Sequence, residues 1–336
     1  MKESVAPKTL KFKVGLYLAI ALTVAMLLFT VLVIRHQRDQ LLQEAASHVT
    51  QLSEVITRST RFAMLKRGEV DQATLMIDLF YKKAKEDKDL RVFEPKASTA
   101  WLVHMTSQFD PKSPWSDARV RKAASLAIDR KAFVDVHFPG SVPLGTLGLP
   151  GEPGNLERPA DPYDPEQAKR LLAEAGYPKG FHGGTYYPYN GPYWPMGEMI
   201  ANYWKAVGIQ MDTVLMDRPA LIAARRAGKM KGATYIEASS PPTIGARLSY
   251  LFGEASYGNY PDVQNLWGQY NREVDPPIRQ DLLNRIQKLI YDRTMYIFTT
   301  YSSTPAAFGP RVKGNPYKVG APVWIICPME DLELNE

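Results

Sequence analysis

From Val14 to Ile34 the chain runs 21 residues without a charged side chain. No other feature restricts its folding as much, because crossing the apolar core of a bilayer as a helix takes about 20 such residues. Lys2, Lys8, Lys11 and Lys13 precede the run, and Arg35 and Arg38 follow it. The lysines ahead of it predict a cytoplasmic N-terminus and an exported remainder. A cleaved signal peptide is the rival reading, with an apolar region of about 7–15 residues and a small-x-small cleavage site directly behind it. This run is longer and continues into Ile34-Arg35-His36-Gln37, which favours an uncleaved anchor. The chain then divides into a cytoplasmic tail (1–13), a transmembrane anchor (14–34), a helical stalk (35–64) and an outer domain (65–336). That places it as a single-pass protein of the cell (inner) membrane, with an extracytoplasmic or periplasmic C-terminal domain.

Gln40–Leu65 contains neither Gly nor Pro and reads as continuous helix. Leu42, Ala45, Val49, Leu52, Ile56 and Ala63 recur at steps of three and four, interrupted at Ser59. The seam is close to a heptad. A stalk lying on the next domain and a two-stranded coiled coil fit it equally, so a dimer through the stalk stays open. Anchor and stalk together resemble the N-terminus of a membrane sensor such as a histidine kinase. No glycine-rich ATP lid follows, and His48 lies before any phosphoacceptor context.

The length of 336 residues allows about two domains. The net charge is +6, and its location decides what it means. Residues 1–67 hold ten Lys/Arg and four Asp/Glu, while the remainder holds 31 of each sign. A nucleic-acid binder carries its positive patch on the folded domain; here the excess flanks an apolar run, which argues against nucleic acid. Cys327 stands alone, so no disulfide framework and no Cys-based zinc site forms within one chain, and no N-terminal Cys offers lipid attachment. None of the five His residues, 36, 48, 104, 137 and 182, is paired at metal-ligand spacing. No G-x-S-x-G, H-E-x-x-H or P-loop occurs, and carboxylate pairs such as Glu86/Asp87 lie in a lysine-rich run that reads as a solvated face. The expectation is a protein that is not an enzyme, with no catalytic residues, no metal and no cofactor.

Beyond the stalk, periodicity and caps predict alternating elements. Asp78–Asp87 reads as helix, and Leu90–Glu94 and Ala100–Met105 as strands. Pro114–Lys131 reads as one amphipathic helix capped by Ser116 or Asp117. Its apolar face carries Val120, Ala123, Ala124, Ala127 and Ile128, with Arg119, Lys122, Asp129 and Arg130 mostly elsewhere. Pro139–Pro162 is too rich in Pro and Gly for regular structure. Tyr163–Gly176 is a helix with Asp164 as cap, Pro165 in the first turn and Gly176 at its end. His182–Asn190 reads as strand plus turn, Gly183-Gly184 lying in the turn. Helices over Met196–Val207, Pro219–Gly228 and Pro276–Arg293 and strands over Ile209–Met216, Met230–Glu237, Tyr296–Tyr301 and Val323–Cys327 complete an α/β layered domain.

Two stretches resemble a known family. D-x-R-V-R-x-A-x-x-x-A-I-D-R, from Asp117 to Arg130, is similar to the signature helix of the family 5 extracellular solute-binding proteins, the dipeptide, oligopeptide and nickel receptors of ABC importers. Tyr163-Asp164-Pro165-Glu166-Gln167-Ala168-Lys169-Arg170-Leu171-Leu172-Ala173-Glu174-Ala175-Gly176-Tyr177-Pro178 resembles that family's second signature, at a fitting distance. Leu65-Lys66-Arg67-Gly68-Glu69-Val70-Asp71 is similar to the segment that precedes the first. The resemblance covers Leu65–Glu336 and only the C-terminal half of the family. It implies an α/β, periplasmic-binding-protein-like (type II) lobe, incomplete, behind a transmembrane helix and stalk. The implied function is extracytoplasmic binding of a small solute or peptide for ABC permease and ATPase subunits, by a truncated receptor whose relatives close two lobes around the solute. The alternative is the ligand-sensing outer domain of a dimeric membrane sensor.

The ligand-binding expectation follows from the same resemblance. Trp101 and His104 fall near the cleft by analogy, although by chemistry alone a lone Trp and a lone His are more often core residues. Tyr186, Tyr187, Tyr189, Tyr193, Trp194, Tyr250, Phe252, Tyr257, Tyr260 and Trp267 fall in segments that read as loops, where aromatic rings give broad contact with polar tips. Tyr235, Glu237, Ser239, Ser240 and Tyr257 are the expected ligand-facing residues. Peptide receptors of the family often carry an Asp after this strand to pair with the peptide's amino group. Here the segment Ala233–Pro242 holds no Asp, and Glu237 is its only acid.

Overall fold

One uninterrupted helix, α1 (Ala6–Lys66), begins the structure, a computed structural model that describes residues 6–74, 78–94, 99–137, 141–149, 151–188, 194–239, 243–252, 257–258, 260–302, 305–313 and 333–335. With no Gly after residue 15 and no Pro after residue 7, nothing breaks the helix over about 90 Å. Its stretch Ala21–Arg38 is long and apolar enough to cross a membrane, and its side chains are exposed. The chain divides into two compact units, residues 1–52 and 53–336.

Within the second unit the elements after α1 are β1 (Gln72–Thr74), α2 (Asp78–Glu86), β2 (Arg91–Phe93), β3 (Thr99–His104), α3 (Ala118–Leu126), α4 (Arg130–His137), β4 (Val142–Pro143) and α5 (Pro165–Glu174). There follow β5 (Phe181–Tyr187), α6 (Trp194–Ala206), β6 (Ile209–Thr213), α7 (Arg218–Arg226), β7 (Gly232–Ser239), α8 (Ile244–Phe252), α9 (Pro261–Arg272), α10 (Pro276–Asp292), β8 (Tyr296–Ser302) and β9 (Ala306–Phe308). The strand expected at Val323–Cys327 lies outside the described residues.

A six-stranded sheet of order β4-β8-β3-β7-β5-β6 forms the body of the unit. Its β4, β8, β3 and β7 pair antiparallel, whereas β7, β5 and β6 pair in parallel. Trp101, Val103 and Tyr235 face one core, shared with Val120, Ala124, Leu172, Ile200 and Trp204 of α3, α5 and α6. Ala100, Leu102 and Ile236 face the other, filled by Leu248, Trp267, Ile286 and Ile290 of α8 to α10. Alternation along each strand sends neighbouring side chains to opposite faces, so both cores draw on the same strands.

A second sheet, β1-β9-β2, is small and wholly antiparallel. Three short strands cover little apolar surface by themselves. The last turns of α1 supply the cover: Leu65 is fully buried and Phe62 partly so, with Ala73, Tyr81, Ala84, Leu90 and Ala307. Lys66 binds Asp87 at 2.5 Å, so Asp87, expected on a solvated face, is held against α1.

Local capping works as the sequence predicts. Asp164 accepts from Gln167 N at 2.8 Å, Pro165 opens α5, and Gly176 at φ +95° terminates it. Pro114–Lys131, however, is not one helix. A 3-10 turn (Pro114–Ser116) leads into α3, whose cap is Asp117, and the helix stops before α4 begins at Arg130. Asp129 caps α4, accepting from the N–H groups of Lys131 and Ala132 at 3.1 and 3.0 Å. Gly183 and Gly184 lie inside β5, where the ladder to β6 shifts register and Gly184 takes φ +86°. The aromatic residues expected in loops sit mostly in regular elements: Tyr186 and Tyr187 in β5, Trp194 in α6, Tyr250 and Phe252 in α8, Trp267 in α9. Tyr189 and Tyr193 lie outside the described residues.

Arg130, expected away from the apolar face, is only 3% exposed. Its guanidinium donates to the carbonyls of Phe298 (2.7 Å), Ser125 (2.9 Å), Asp161 (3.2 Å) and Ile128 (3.3 Å) and to Ser125 Oγ (2.7 Å). Burial lowers its pKa to about 10, against the supporting charge of Asp161. Asp161 accepts from Lys122 Nζ at 2.6 Å, from Ser125 Oγ at 2.5 Å and from Arg158. Burial alone pushes this carboxyl up, but those donors and the charge of Arg158 hold it at about 2.

Removal of the buried guanidinium should therefore be costly. Arg130→Ala strands several buried carbonyls and should lower the stability by about 3–5 kcal/mol, read as a lower urea midpoint at unchanged slope. Arg119→Ala, at an exposed position of α3, should leave the midpoint nearly where it is.

Candidate functional site

Strand β3 begins, and β7 and β8 end, at one end of the large sheet, where Thr99 pairs with Ser239 and Ser302. β3 is joined to β2 through residues 95–98, and β8 to β9 through residues 303–304, both outside the described residues. Trp101 lies near this end, fully buried. Its ring stacks on Tyr235 at 5.2 Å and 27°, and its Nε1 donates to Ser302 Oγ at 2.8 Å. The ladder between β3 and β8 shifts register at Trp101/Leu102, so Thr299 has no partner residue of its own. Such a bulge re-aims a side chain. Here Thr299 Oγ1 donates to Trp101 O at 3.0 Å and lies 3.4 Å from Tyr235 Oη. Tyr235 Oη also lies 4.0 Å from Met196 Sδ.

Glu237 stands directly opposite Trp101 on the β7 ladder, half-buried. It is two residues beyond Tyr235, so both are on one face of the strand. Ser239 pairs with Thr99 through the backbone. Ser240 lies outside the described residues. Thr300 Oγ1, opposite Trp101 on β8, is buried and has no hydrogen-bond partner among the described residues; the same holds for Tyr186 Oη on β5 and the Trp194 indole N–H at the start of α6. Burial and the neighbouring Tyr235 push the Tyr186 phenol well above its usual pKa, so it remains a neutral donor. Polar atoms left this way beside a buried aromatic stack suit a ligand or ordered water.

His104 and Tyr257 do not join this group. His104 is three residues from Trp101, about 10 Å along the strand and on the opposite face. Its ring lies 4.9 Å from that of Tyr296 and 5.7 Å, edge-on, from that of Tyr257. Tyr257 Oη accepts from Met230 N at 3.3 Å and lies 3.5 Å from Ala224 O. Arg225 is buried nearby, its guanidinium 4.4 Å from the Tyr250 ring and donating to Tyr250 Oη. The expected set thus splits in two: Trp101, Tyr235, Glu237 and the Ser239 backbone at one end, His104 and Tyr257 at the other. Thr299, Thr300, Ser302 and Met196 were not anticipated, whereas Trp194 was among the aromatic residues expected to line a site. The hydroxyl-rich run Thr299–Ser303 inside an apolar strand was the one sequence signal for the three hydroxyl residues.

His104 is 2% exposed, and neither ring nitrogen has a partner among the described residues. Burial, aided by the charge of Arg225, lowers its pKa to about 3. The ring is neutral in the folded state, whereas the unfolded chain protonates it below about 6.5. Stability from this group is therefore complete above about pH 6.5 and falls as the pH drops toward 3, by up to about 1.4 kcal/mol per pH unit. A His104→Phe variant should flatten the melting temperature against pH across that interval. An unchanged slope would contradict the burial of a neutral ring.

The profile of the bacterial extracellular solute-binding proteins, family 5 middle region, matches residues 52–259. Heme-binding protein A of Haemophilus influenzae is 26% identical over 281 residues, covering 78% of this chain and 50% of its own. The glutathione-binding protein GsiB of Escherichia coli is 29% identical over 206 residues, 61% of this chain and 38% of its own. Among solved structures, the periplasmic binding protein DppA from Helicobacter pylori in complex with the peptide STSA superimposes with a TM-score of 0.67 at 20% identity, covering 76% of this chain and 52% of that one. The likeness is one of fold, periplasmic-binding-protein-like α/β. The chain spans about half the length, or less, of the curated relatives it matches.

Proposed function

Because this chain belongs to the bacterial extracellular solute-binding proteins of family 5, we propose that it captures a small solute of the peptide type and presents it to the permease and ATPase of an ABC importer. The observation that carries this reading is the half-buried Glu237, opposite Trp101 near the end of β7 and next to the stack of Trp101 on Tyr235. Both rings are fully buried, so the stack fixes the two strands that present Glu237. A half-buried carboxylate suits an amino group, and the orphaned Trp194 indole and Thr300 hydroxyl suit peptide carbonyls. Glutathione and STSA, the ligands named for two relatives, are both peptides. The protein binds and releases its solute without bond chemistry. The apolar stretch Ala21–Arg38 supports a membrane-held receptor, with the solute site outside the cytoplasm.

Calorimetric titration of the full chain in detergent against glutathione, dipeptides, a tetrapeptide, heme and a nickel–histidine complex tests the reading. Saturable binding of a peptide is the expected result. Glu237→Gln should weaken that binding about tenfold or more in a protein that still unfolds cooperatively. A folded protein that ignores every peptide while taking heme or nickel would replace the solute class, and silence toward all of them would refute the reading.

A further inference from the structure

Helix α1 leaves an apolar seam uncovered. Val49, Leu52 and Ile56 are 65%, 62% and 63% exposed, and Ala45 is exposed as well. Farther along, the same helix behaves differently, with Phe62 and Leu65 packed into the small-sheet core. The seam runs Leu42, Ala45, Val49, Leu52, Ile56. Steps of three and four hold one line of side chains toward a neighbouring helix. It ends at Ser59, one turn before Phe62 docks. Upstream it ends at Arg38, seven residues before Ala45.

The residue types indicate what covers it. In heptad register Leu42, Val49 and Ile56 occupy a, and Ala45 and Leu52 occupy d. Val49 and Ile56 at a with Leu52 at d form the pattern that favours two strands over three or four. Glu44, Glu54, Arg58 and Arg61 fall at c and f positions. The positions flanking the seam, Ala46, Ser53 and Thr60 on one side and His48 and Val55 on the other, hold no acidic, lysine or arginine side chain to repel a second copy. Ile56 belongs to the same compact unit as the folded domain and is still exposed, so that domain does not cover the seam there.

We propose that the stalk pairs in parallel with the stalk of a second copy of this chain along Ala45–Ile56, so that receptors stand in twos. The parallel orientation rests on the membrane-held reading above, since two anchored copies share one plane and one direction. Confinement also raises their effective concentration. That matters because two heptads are short for a helix pair free in water.

The test places single cysteines in the full chain carrying Cys327→Ser, at Ala45, Val49, Leu52 and Ile56 and separately at Ser47, Gln51, Glu54 and Arg58, followed by oxidation in bacterial membranes. Disulfide-linked dimers should form severalfold faster at the first set than at the second. Equal rates, or maxima at the second set, overturn the pairing. The unaltered chain, with Cys327 kept, is also sized by sedimentation in mild detergent, so that the result does not depend on how Cys327→Ser folds. A dimer that Leu52→Asp or Ile56→Asp converts to monomer supports the proposal, and a dimer that both substitutions leave intact refutes pairing along this seam. Carbonate extraction and N-terminal sequencing of the same membranes separate the two readings. A chain cut behind Ile34 and released, yet still crosslinked along the seam, removes the anchor and keeps the pair.

Discussion

Strand β3 is closed on all four sides. Its edges are bonded to β7 and β8, and its faces belong to the two cores. A buried backbone tolerates that position only if its N–H and C=O groups are paired along its length. The single departure is the register shift at Trp101/Leu102. There Thr299 is turned toward Trp101 and Tyr235, and the hydroxyl replaces what the ladder leaves out. The candidate site is thus a local consequence of how the central strand is sealed.

Charge inside the second unit follows the same rule. Arg121 donates to the carbonyls of Arg293, Thr294, Trp115 and Ser116. Arg130 does likewise around Ser125 and Phe298. Arg247 binds Glu152 at 2.8 Å, Leu147 O at 3.0 Å and Tyr301 Oη at 2.8 Å. A buried cation is tolerated when its donors find acceptors, and of these three only Arg247 keeps a buried donor, Nε, without one among the described residues. The acceptors are carbonyls of helix ends and loops, one strand carbonyl (Phe298) and, for Arg247, a carboxylate and a phenol as well. The Pro/Gly-rich segment before α5 is therefore part of the core: Leu144 and Leu147 fill it, and Gln287 holds Gly154 O at 2.8 Å.

The small sheet depends on a different economy. Its strands are too short to stand alone, and the end of α1 completes their apolar side. Helix and sheet are pinned by Lys66 with Asp87, and by Arg311 with Asp71 (2.8 Å) and Gly68 O (2.9 Å). The final turns of α1 are in this way a packed element of the second unit, while Val49 and Leu52 upstream are open to solvent.

Local rules were readable without coordinates. Asp164, Pro165 and Gly176 bound α5, the apolar spacing of Ile286 and Ile290 marks α10, and two long motifs identify the family. Caps and periodicities act within a turn or two, so a linear string carries them in full. The string did not show that the expected helix Pro114–Lys131 breaks at Ala127–Asp129. Nor did it show that Arg130 turns inward, or that Trp101 and His104 face opposite cores. Those outcomes depend on partners far away in sequence: β3 meets β7 and β8, and Arg130 meets Phe298 O across 168 residues. Only the closed sheet brings such groups together. The burial it imposes decides which polar atoms are satisfied and which are left without a partner among the described residues.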